Sequence, residues 1–402
     1  MQLNRSSSTA QVQPNTGKNA WQFVVLLGFV SLFSDMVYEG ARSITGPYLA
    51  LLGASGTAVG IIAGLGELIG YALRLISGYL VERSSRYWLF TFIGYLSNLS
   101  VPLLALAGSW PVAALLIMLE RTGKAARTPA RDAMISFASK NIGMGRGFGV
   151  HQSLDQIGAM AGPLIAAGVL YANGGYRLSF GLFILPALVT LVILWIAQRR
   201  YPHPKELEVH YPELSPQKMN HLFWIYLAGS ALVAAGYADF PLMAYHFEKA
   251  SLFSAPWIPL TYVIAMGAGA LTAFFLGRMY DRRGSKILLG VIPVASLFAP
   301  LVFLSNNPIV AISGMILWGI GMGAQKSLIK AVVGTIVSRE KRPSAYGIFN
   351  TVFGIAWFIG SAVMGLLYDF SLLDLAIFSM LAQLGSLPFI FIVQKQLRQK
   401  TA

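Results

Sequence analysis

No cysteine occurs in the 402 residues, which excludes disulfides, thiolate metal sites and cysteine nucleophiles. Charge is nearly as scarce: 11% of residues are Asp, Glu, Lys or Arg, where a soluble protein carries roughly a quarter. Several chemical kits are missing too. "RTGKAA" lacks the upstream glycine of a Gly-x4-Gly-Lys-Ser/Thr loop, so ATP-driven pumping has no phosphate cradle. HExxH and GxSxG are absent, and no second histidine lies within a span near His151, so neither metal nor triad catalysis is expected. The chain reads as not an enzyme, with no cofactor and no metal.

What fills the chain instead is hydrophobic residues, 55% of the total. Runs such as "WQFVVLLGFVSLF", "LFILPALVTLVILWIA" and "PLTYVIAMGAGALTAFFLG" cross or nearly cross a bilayer, which takes about 20 apolar residues. Twelve spans are expected, near 21–43, 57–81, 87–106, 110–133, 147–171, 178–198, 221–244, 257–277, 287–304, 308–335, 345–368 and 375–394. All must be helical, because lipid offers no partner to free backbone groups. The net charge of +14 resembles a nucleic-acid signature until the charges are sorted. The basic excess sits in the tails and in alternate loops, "ERSSR", "SKNIGMGR", "RRYPHPKELE", "DRRGSK" and "SREKR". That is the positive-inside asymmetry of a membrane protein. Both termini are therefore expected in the cytoplasm, in a bacterial inner membrane, with lipid rather than nucleic acid as partner and a monomeric state. The polar residues 1–20 lack the apolar core of a signal peptide and read as a disordered tail; 395–402 form a second cytoplasmic tail.

The polar, proline-rich segment 199–220 reads as a linker between two six-helix bundles, 21–198 and 221–394. An internal repeat supports the division. "FGVHQSLDQIGAMAGPLIAAGVLY" in span 5 pairs with "YGIFNTVFGIAWFIGSAVMGLLYD" in span 11, placing Gly149 on Gly347 and Gly162 on Gly360, both at an offset of 198. "GYLVERSSR" pairs with "GRMYDRRGSK", Gly78 on Gly277, at an offset of 199. Duplicated bundles about a central axis are a transporter architecture, with substrate bound between the halves near the midplane.

These motifs resemble the major facilitator superfamily over nearly the whole chain. The cytoplasmic signature of that family is a glycine, an acid four residues on, then basic residues and a second glycine. The C-half copy matches at Gly277, Asp281, Arg282, Gly284 and Lys286; the N-half copy keeps Gly78, Arg83 and Arg86 but has Glu82 for the acid and Ser85 for the second glycine. The resemblance implies that these residues, with Arg131 and Asp132, gate the inner end. Gly149, Gly158, Gly162 and Pro163 have the span-5 spacing of antiporters in the family, which implies hinge packing and favours export. Small residues admit a close neighbour helix and proline loosens the backbone; ordinary close packing is the plainer alternative.

Charges inside the spans carry the functional expectation. His151 and Asp155 stand at i and i+4, hence on one helical face. Asp155 lies about 13 Å from Arg146 along the helix, where a carboxylate is costly unless it is paired, protonated or facing water. Its repeat partner is Phe353, so such a helix does not need an acid. Asp155, His151, Glu120, Glu67, Asp35 and Glu39 are the candidate proton carriers, against the alternative of buried structural ion pairs. Arg42, Arg121, Lys124, Arg127, Lys326, Tyr237 and Asp239 are the candidate substrate contacts, since spans 1, 4, 7 and 10 line the cavity in the family. Two readings stay open: a cationic cavity for an organic anion, or acids and bases that neutralise each other around an amphipathic or cationic cargo. The near balance of charge within the spans favours the second. Pro241 beside Asp239 predicts a broken helix in span 7. The expected function is secondary active transport of a small organic solute by alternating access, with protons as the coupling ion and export as the direction. An importer of a small organic anion, or a non-transporting membrane sensor, are the alternatives.

Overall fold

The computed structural model describes residues 16–204, 221–283, 286–325, 332, 333, 336, 337 and 342–401. Helices account for nearly all of them, and no strand occurs among the described residues. The N half contains α1 (Thr16–Leu51), α2 (Gly56–Ser84), α3 (Tyr87–Leu96), α4 (Ser100–Leu103), α5 (Trp110–Ile142), α6 (Met144–Tyr171), α7 (Gly175–Leu182) and α8 (Ile184–Arg200). The C half contains α9 (His221–Ala235), α10 (Phe240–Lys249), α11 (Trp257–Arg283), α12 (Lys286–Ser296), α13 (Phe298–Phe303), α14 (Pro308–Ala324), α15 (Arg342–Phe370), α16 (Leu372–Leu384) and α17 (Leu387–Thr401).

Consecutive pieces stack into membrane spans. Ten stretches are long and apolar enough to cross a bilayer, and Pro308–Ala324 is a shorter apolar helix. The charged α5 (Trp110–Ile142) completes the twelve expected crossings among the described residues. Its length of 33 residues gives about 50 Å of helix; its acids and bases, not its length, keep its hydropathy low. Several expected boundaries shift, two of them into the expected tails. α1 begins at Thr16, inside the stretch expected as a tail, and α17 continues to Thr401, through the expected C-terminal tail. The greater part of the linker, 205–220, lies outside the described residues.

Local chemistry sets the helix ends. Ser55 caps α2 by accepting from the Ala58 N–H, and Asn307 caps α14 by accepting from the Ile309 N–H just before Pro308. α2 ends at Ser85, whose φ of 56° is left-handed and whose N–H returns to the Val81 carbonyl. This is the position where the signature motif otherwise has glycine, the residue for which that conformation carries no steric penalty. Span 7 is broken, as Pro241 predicts: α9 stops at Ala235 and α10 restarts at Phe240. α10 ends in its turn at Ser251, again left-handed at φ 49°, whose N–H returns to the Glu248 carbonyl.

Glycines decide how closely the helices approach. A Cβ on Gly158 would strike the Leu32 carbonyl, and one on Gly162 would strike the Met36 carbonyl and Gly40, so α6 lies directly on α1. The halves meet chiefly through α2 against α15 and α1 against α10. Gly60 and Gly64 of α2 press on Ser361, Gly365 and Phe358 of α15. Large apolar side chains such as Leu106, Leu115, Leu185, Ile309 and Phe391 remain exposed on the outer surface, as a lipid-facing belt requires.

Candidate functional site

A cavity of about 930 Å³ lies between the halves. It is lined by α1, α2, α5 and α6 on one side, and by α11, α15 and the end of α14 on the other. Its wall reaches Arg74 towards the end of α2 and Gly149 near the start of α6, so it extends towards the end of the bundle from which α1 and α6 start. The opposite end is closed by contacts between the halves. Asp369 of α15 accepts from the Gly56 N–H at 2.9 Å, the Thr57 N–H at 2.8 Å and the Thr57 hydroxyl at 2.6 Å. The carboxylate of one half thereby caps the first turn of α2 in the other. Nearby, the Tyr245 hydroxyl donates to the Ala54 carbonyl and the Tyr176 hydroxyl to Glu248.

At the closed end of the cavity lies a buried charge network. Arg42 of α1 reaches Asp239 at 2.6 Å, Glu67 at 3.4 Å and Glu39 at 4.0 Å. Arg121 of α5 meets Glu67 at 3.5 Å. Glu39 also accepts from the Tyr262 hydroxyl of α11 at 2.6 Å. Asp239 additionally accepts from the indole N–H of Trp357 at 2.9 Å and from the Ser361 hydroxyl at 3.4 Å. The helix break at 236–239 lets Asp239 point into this network instead of capping α10, which receives no side-chain cap bond. Most of these charges are answered by two or more partners, the condition under which buried ions persist.

Four acids and four bases line the cavity: Asp35, Glu39, Glu67 and Asp155 against Arg42, Arg74, Arg121 and Lys124. All eight come from the N half. Lys124 and Arg74 form no salt bridge among the described residues; the Lys124 ammonium sits 3.1 Å from the centroid of the Tyr38 ring, and the Arg74 guanidinium 5.5 Å from that of Tyr71. Such ring contacts hold a cation without neutralising it. Asp155 lies within side-chain hydrogen-bonding reach of Asp35 and feels the charges of Arg131 and Lys124, and the Gln152 amide donates to it at 3.4 Å. The described C-half wall is apolar and aromatic, with Met266, Phe274, Met322, Phe349, Phe353 and Trp357, relieved by the amides of Gln325 and Asn350. Both amide atoms of Gln325 are buried without a hydrogen-bond partner among the described residues.

The expected site residues divide accordingly. Asp35, Glu39, Glu67, Asp155, Arg42, Arg121 and Lys124 share the cavity wall. His151 does not: its Nε2 lies 2.7 Å from the Ser31 hydroxyl of α1, buried behind the wall. Four residues of helix separate the two directions enough to send one side chain to the lumen and the other into packing. Arg127, expected at the substrate, points away into α3, donating to the Gly94 carbonyl and Asn98, stacking on Tyr95 and meeting Glu120 at 3.7 Å. Glu120 is held in that same buried pair and is not on the cavity wall. Tyr237 is fully buried behind the wall, its hydroxyl on the Trp318 carbonyl. Asp239 sits behind it too, acting through Arg42. Lys326 lies outside the described residues.

Of the gating set, Glu82, Arg83 and Arg86 are exposed, with Arg83 donating to the Tyr79 hydroxyl within its own helix. Arg131 pairs with its sequence neighbour Asp132 at 2.9 Å and donates to Ser31, so this pair closes within the N half. Gly78 packs against Pro129. Gly277 belongs to α11 and Lys286 starts α12 exposed; the side chains of Asp281 and Arg282, and all of Gly284, lie outside the described residues. Gly158 and Gly162 pack as above and Pro163 lies within α6. Gly149 differs: nothing lies within 4 Å of where its Cβ would be, and it faces the cavity.

Sequence reading missed Tyr262, Ser361, Asp369 and Gln325. A signal existed for one contact: Gly56, Gly60 and Gly64 recur every four residues, the small-residue spacing of a tightly packed membrane helix.

The family model described as Major Facilitator Superfamily matches residues 26–361 and, in a second match, 238–395. An uncharacterized protein of Mycobacterium tuberculosis is 41% identical over 384 residues, 94% of each chain. An uncharacterized MFS-type transporter of Methanocaldococcus jannaschii is 28% identical over 366 residues, 87% of this chain and 89% of that one. Among solved structures, the nucleoside transporter NupG superposes with a TM-score of 0.71 at 14% identity, over 93% of this chain and 98% of that one; at that identity the likeness is one of fold.

Proposed function

Because this chain belongs to the Major Facilitator Superfamily and is a membrane transporter, we propose that it exchanges protons for a small organic solute and exports that solute by alternating access. The observation that carries the reading is the pair of carboxyl groups, Asp35 and Asp155, set side by side on the cavity wall with no salt bridge among the described residues. A structural acid in a membrane helix is committed to a base. This pair faces the lumen instead, where it can take a proton from one side and release it to the other.

The conformer described is the one open towards the start of α1, and the basic loops at that end support its lying on the cytoplasmic side. In the exchange, cargo enters from that side, the outer contacts at Asp369 and Asp239 release, and the cavity reopens outward. A ligand drives such a change only by its difference in affinity for the two conformers. Export is supported by the glycine spacing of α6, which resembles that of antiporters in the family and which here holds α6 directly on α1. Two vesicle preparations of opposite orientation test the direction. Everted vesicles carrying the protein should accumulate substrate when acid inside and lose the accumulation with a protonophore; accumulation only in right-side-out vesicles would refute export.

A further inference from the structure

The charges of the cavity wall fall into two groups once their partners are removed. Arg42, Arg121, Glu39 and Glu67 are committed to each other, to Asp239 and to Tyr262. Four groups remain uncommitted: Lys124 and Arg74, which rest on tyrosine rings, and the Asp35–Asp155 pair. The Arg74 Nε is also buried with no hydrogen-bond partner among the described residues.

Each uncommitted set calls for a different ligand charge. A simple anion would answer Lys124 and Arg74 but would crowd against the carboxyl pair. A simple cation would answer the pair and leave both bases exposed to a drier surrounding. A charge taken out of water is tolerated only when paired. Across the cavity, the described C-half wall offers Phe349, Phe353, Met266 and Met322 and no charge. The size of the cavity, about 930 Å³, lies at the upper end of small-molecule sites, and leaves room for a body beyond the charged head.

We infer that the cavity takes an amphipathic zwitterion, with its anionic group on Lys124 and Arg74, its ammonium on Asp35 and Asp155, and an apolar body on the C-half wall. Its place as cargo rests on the transporter reading above; its chemistry does not. The ammonium then occupies the position that a proton would otherwise hold on the carboxyl pair. Proton and cargo exclude each other there, which is the linkage an exchanger needs.

A matched series separates the parts. L-phenylalanine carries both charges and a ring, 3-phenylpropionate lacks the ammonium, 2-phenylethylamine lacks the carboxylate, and L-alanine lacks the ring. Titration calorimetry on the purified full-length protein should give L-phenylalanine at least tenfold tighter binding than each of the other three. Lys124→Gln should weaken L-phenylalanine tenfold or more and leave 2-phenylethylamine within twofold. Asp155→Asn should weaken L-phenylalanine similarly and leave 3-phenylpropionate within twofold. A singly charged compound that binds as tightly as L-phenylalanine, alanine that matches it, or no binding by any of the four overturns the inference, whether or not the variants fold. Proteoliposome flux decides the other question separately. Correct ranking without flux of labelled L-phenylalanine removes the transporter role and keeps the site; preferential flux of a singly charged compound does the reverse.

Discussion

Arg42 of α1 and Asp239 at the head of α10 meet at 2.6 Å, and this ion pair joins the two halves at the closed end of the cavity. The two residues are not equally committed. Arg42 answers Asp239, Glu67 and Glu39, whereas Asp239 retains Trp357 and Ser361 when Arg42 is removed.

Arg42→Gln is therefore the more damaging change. It takes the shared cation from three acids, each of which keeps at least one other partner, and breaking a buried pair from one side costs about 3–5 kcal/mol. Asp239→Asn leaves Arg42 two acids and should cost less, about 1–3 kcal/mol. Thermal unfolding in detergent should rank them in that order; an equal or reversed ranking would mean that Asp239, not Arg42, is the centre of the network.

Asp155→Asn should leave the protein folded and monodisperse, since no base is committed to this side chain. Exchange driven by a proton gradient should disappear, while counterflow of labelled cargo without a gradient persists once the cargo concentration is raised to offset the weaker binding. The groups facing Asp155 are Asp35 from α1, Arg131 and Lys124 from α5, and Gln152 from its own helix. An unchanged dependence of transport on pH in this variant removes the pair from the coupling step.

Asp369→Ala should favour the conformer open at the outer end. Loss of a helix cap is worth about 0.5–2 kcal/mol, equivalent to a shift of about 2- to 30-fold in the ratio of conformers. Because the sequence has no cysteine, spin labels can be placed on introduced cysteines at the outer ends of α2 and α15 without first removing any. A distance distribution identical to that of the unmodified protein would show that the cap does not hold the gate.

Ser251→Gly should stabilise the protein slightly. A non-glycine residue at φ of 49° carries roughly 1–2 kcal/mol of steric penalty, of which glycine gives back about 0.5–1 kcal/mol in chain entropy. Ser251 is exposed, and its backbone N–H keeps the Glu248 carbonyl whichever residue stands there. A melting temperature that rises by about 1–2 °C is the expected result. No rise would mean that the serine side chain offsets the strain.

The helical spans and the break in span 7 were legible in the sequence because each follows from composition or proline placement within one helix. The cavity wall was legible in part. The i, i+4, i+7 stripe of Asp35, Glu39 and Arg42 does face the lumen, and Lys124 and Arg121 join it. Arg127 looked equivalent on the helical wheel of α5, but a wheel gives direction without naming the neighbour, and the neighbour here is α3 with the Gly94 carbonyl. Asp239 carried little signal, since a carboxylate beside a proline suggests a cap. Its use as the partner of a residue 197 positions away depends on how the halves are docked, which no local pattern encodes. Asp369 and Tyr262 escaped for the same reason.

The repeated helix carries Asp155 in one copy and Phe353 in the other, and both line the same chamber. The two sides of the chamber differ in chemistry, one ionic and one oily among the described residues. In the proposed exchange, rocking one against the other would therefore shear grease over charge, with few electrostatic bonds to rupture along the cavity wall. The barrier to the swing collects at the distant rim, where evolution can retime the machine without disturbing what it carries.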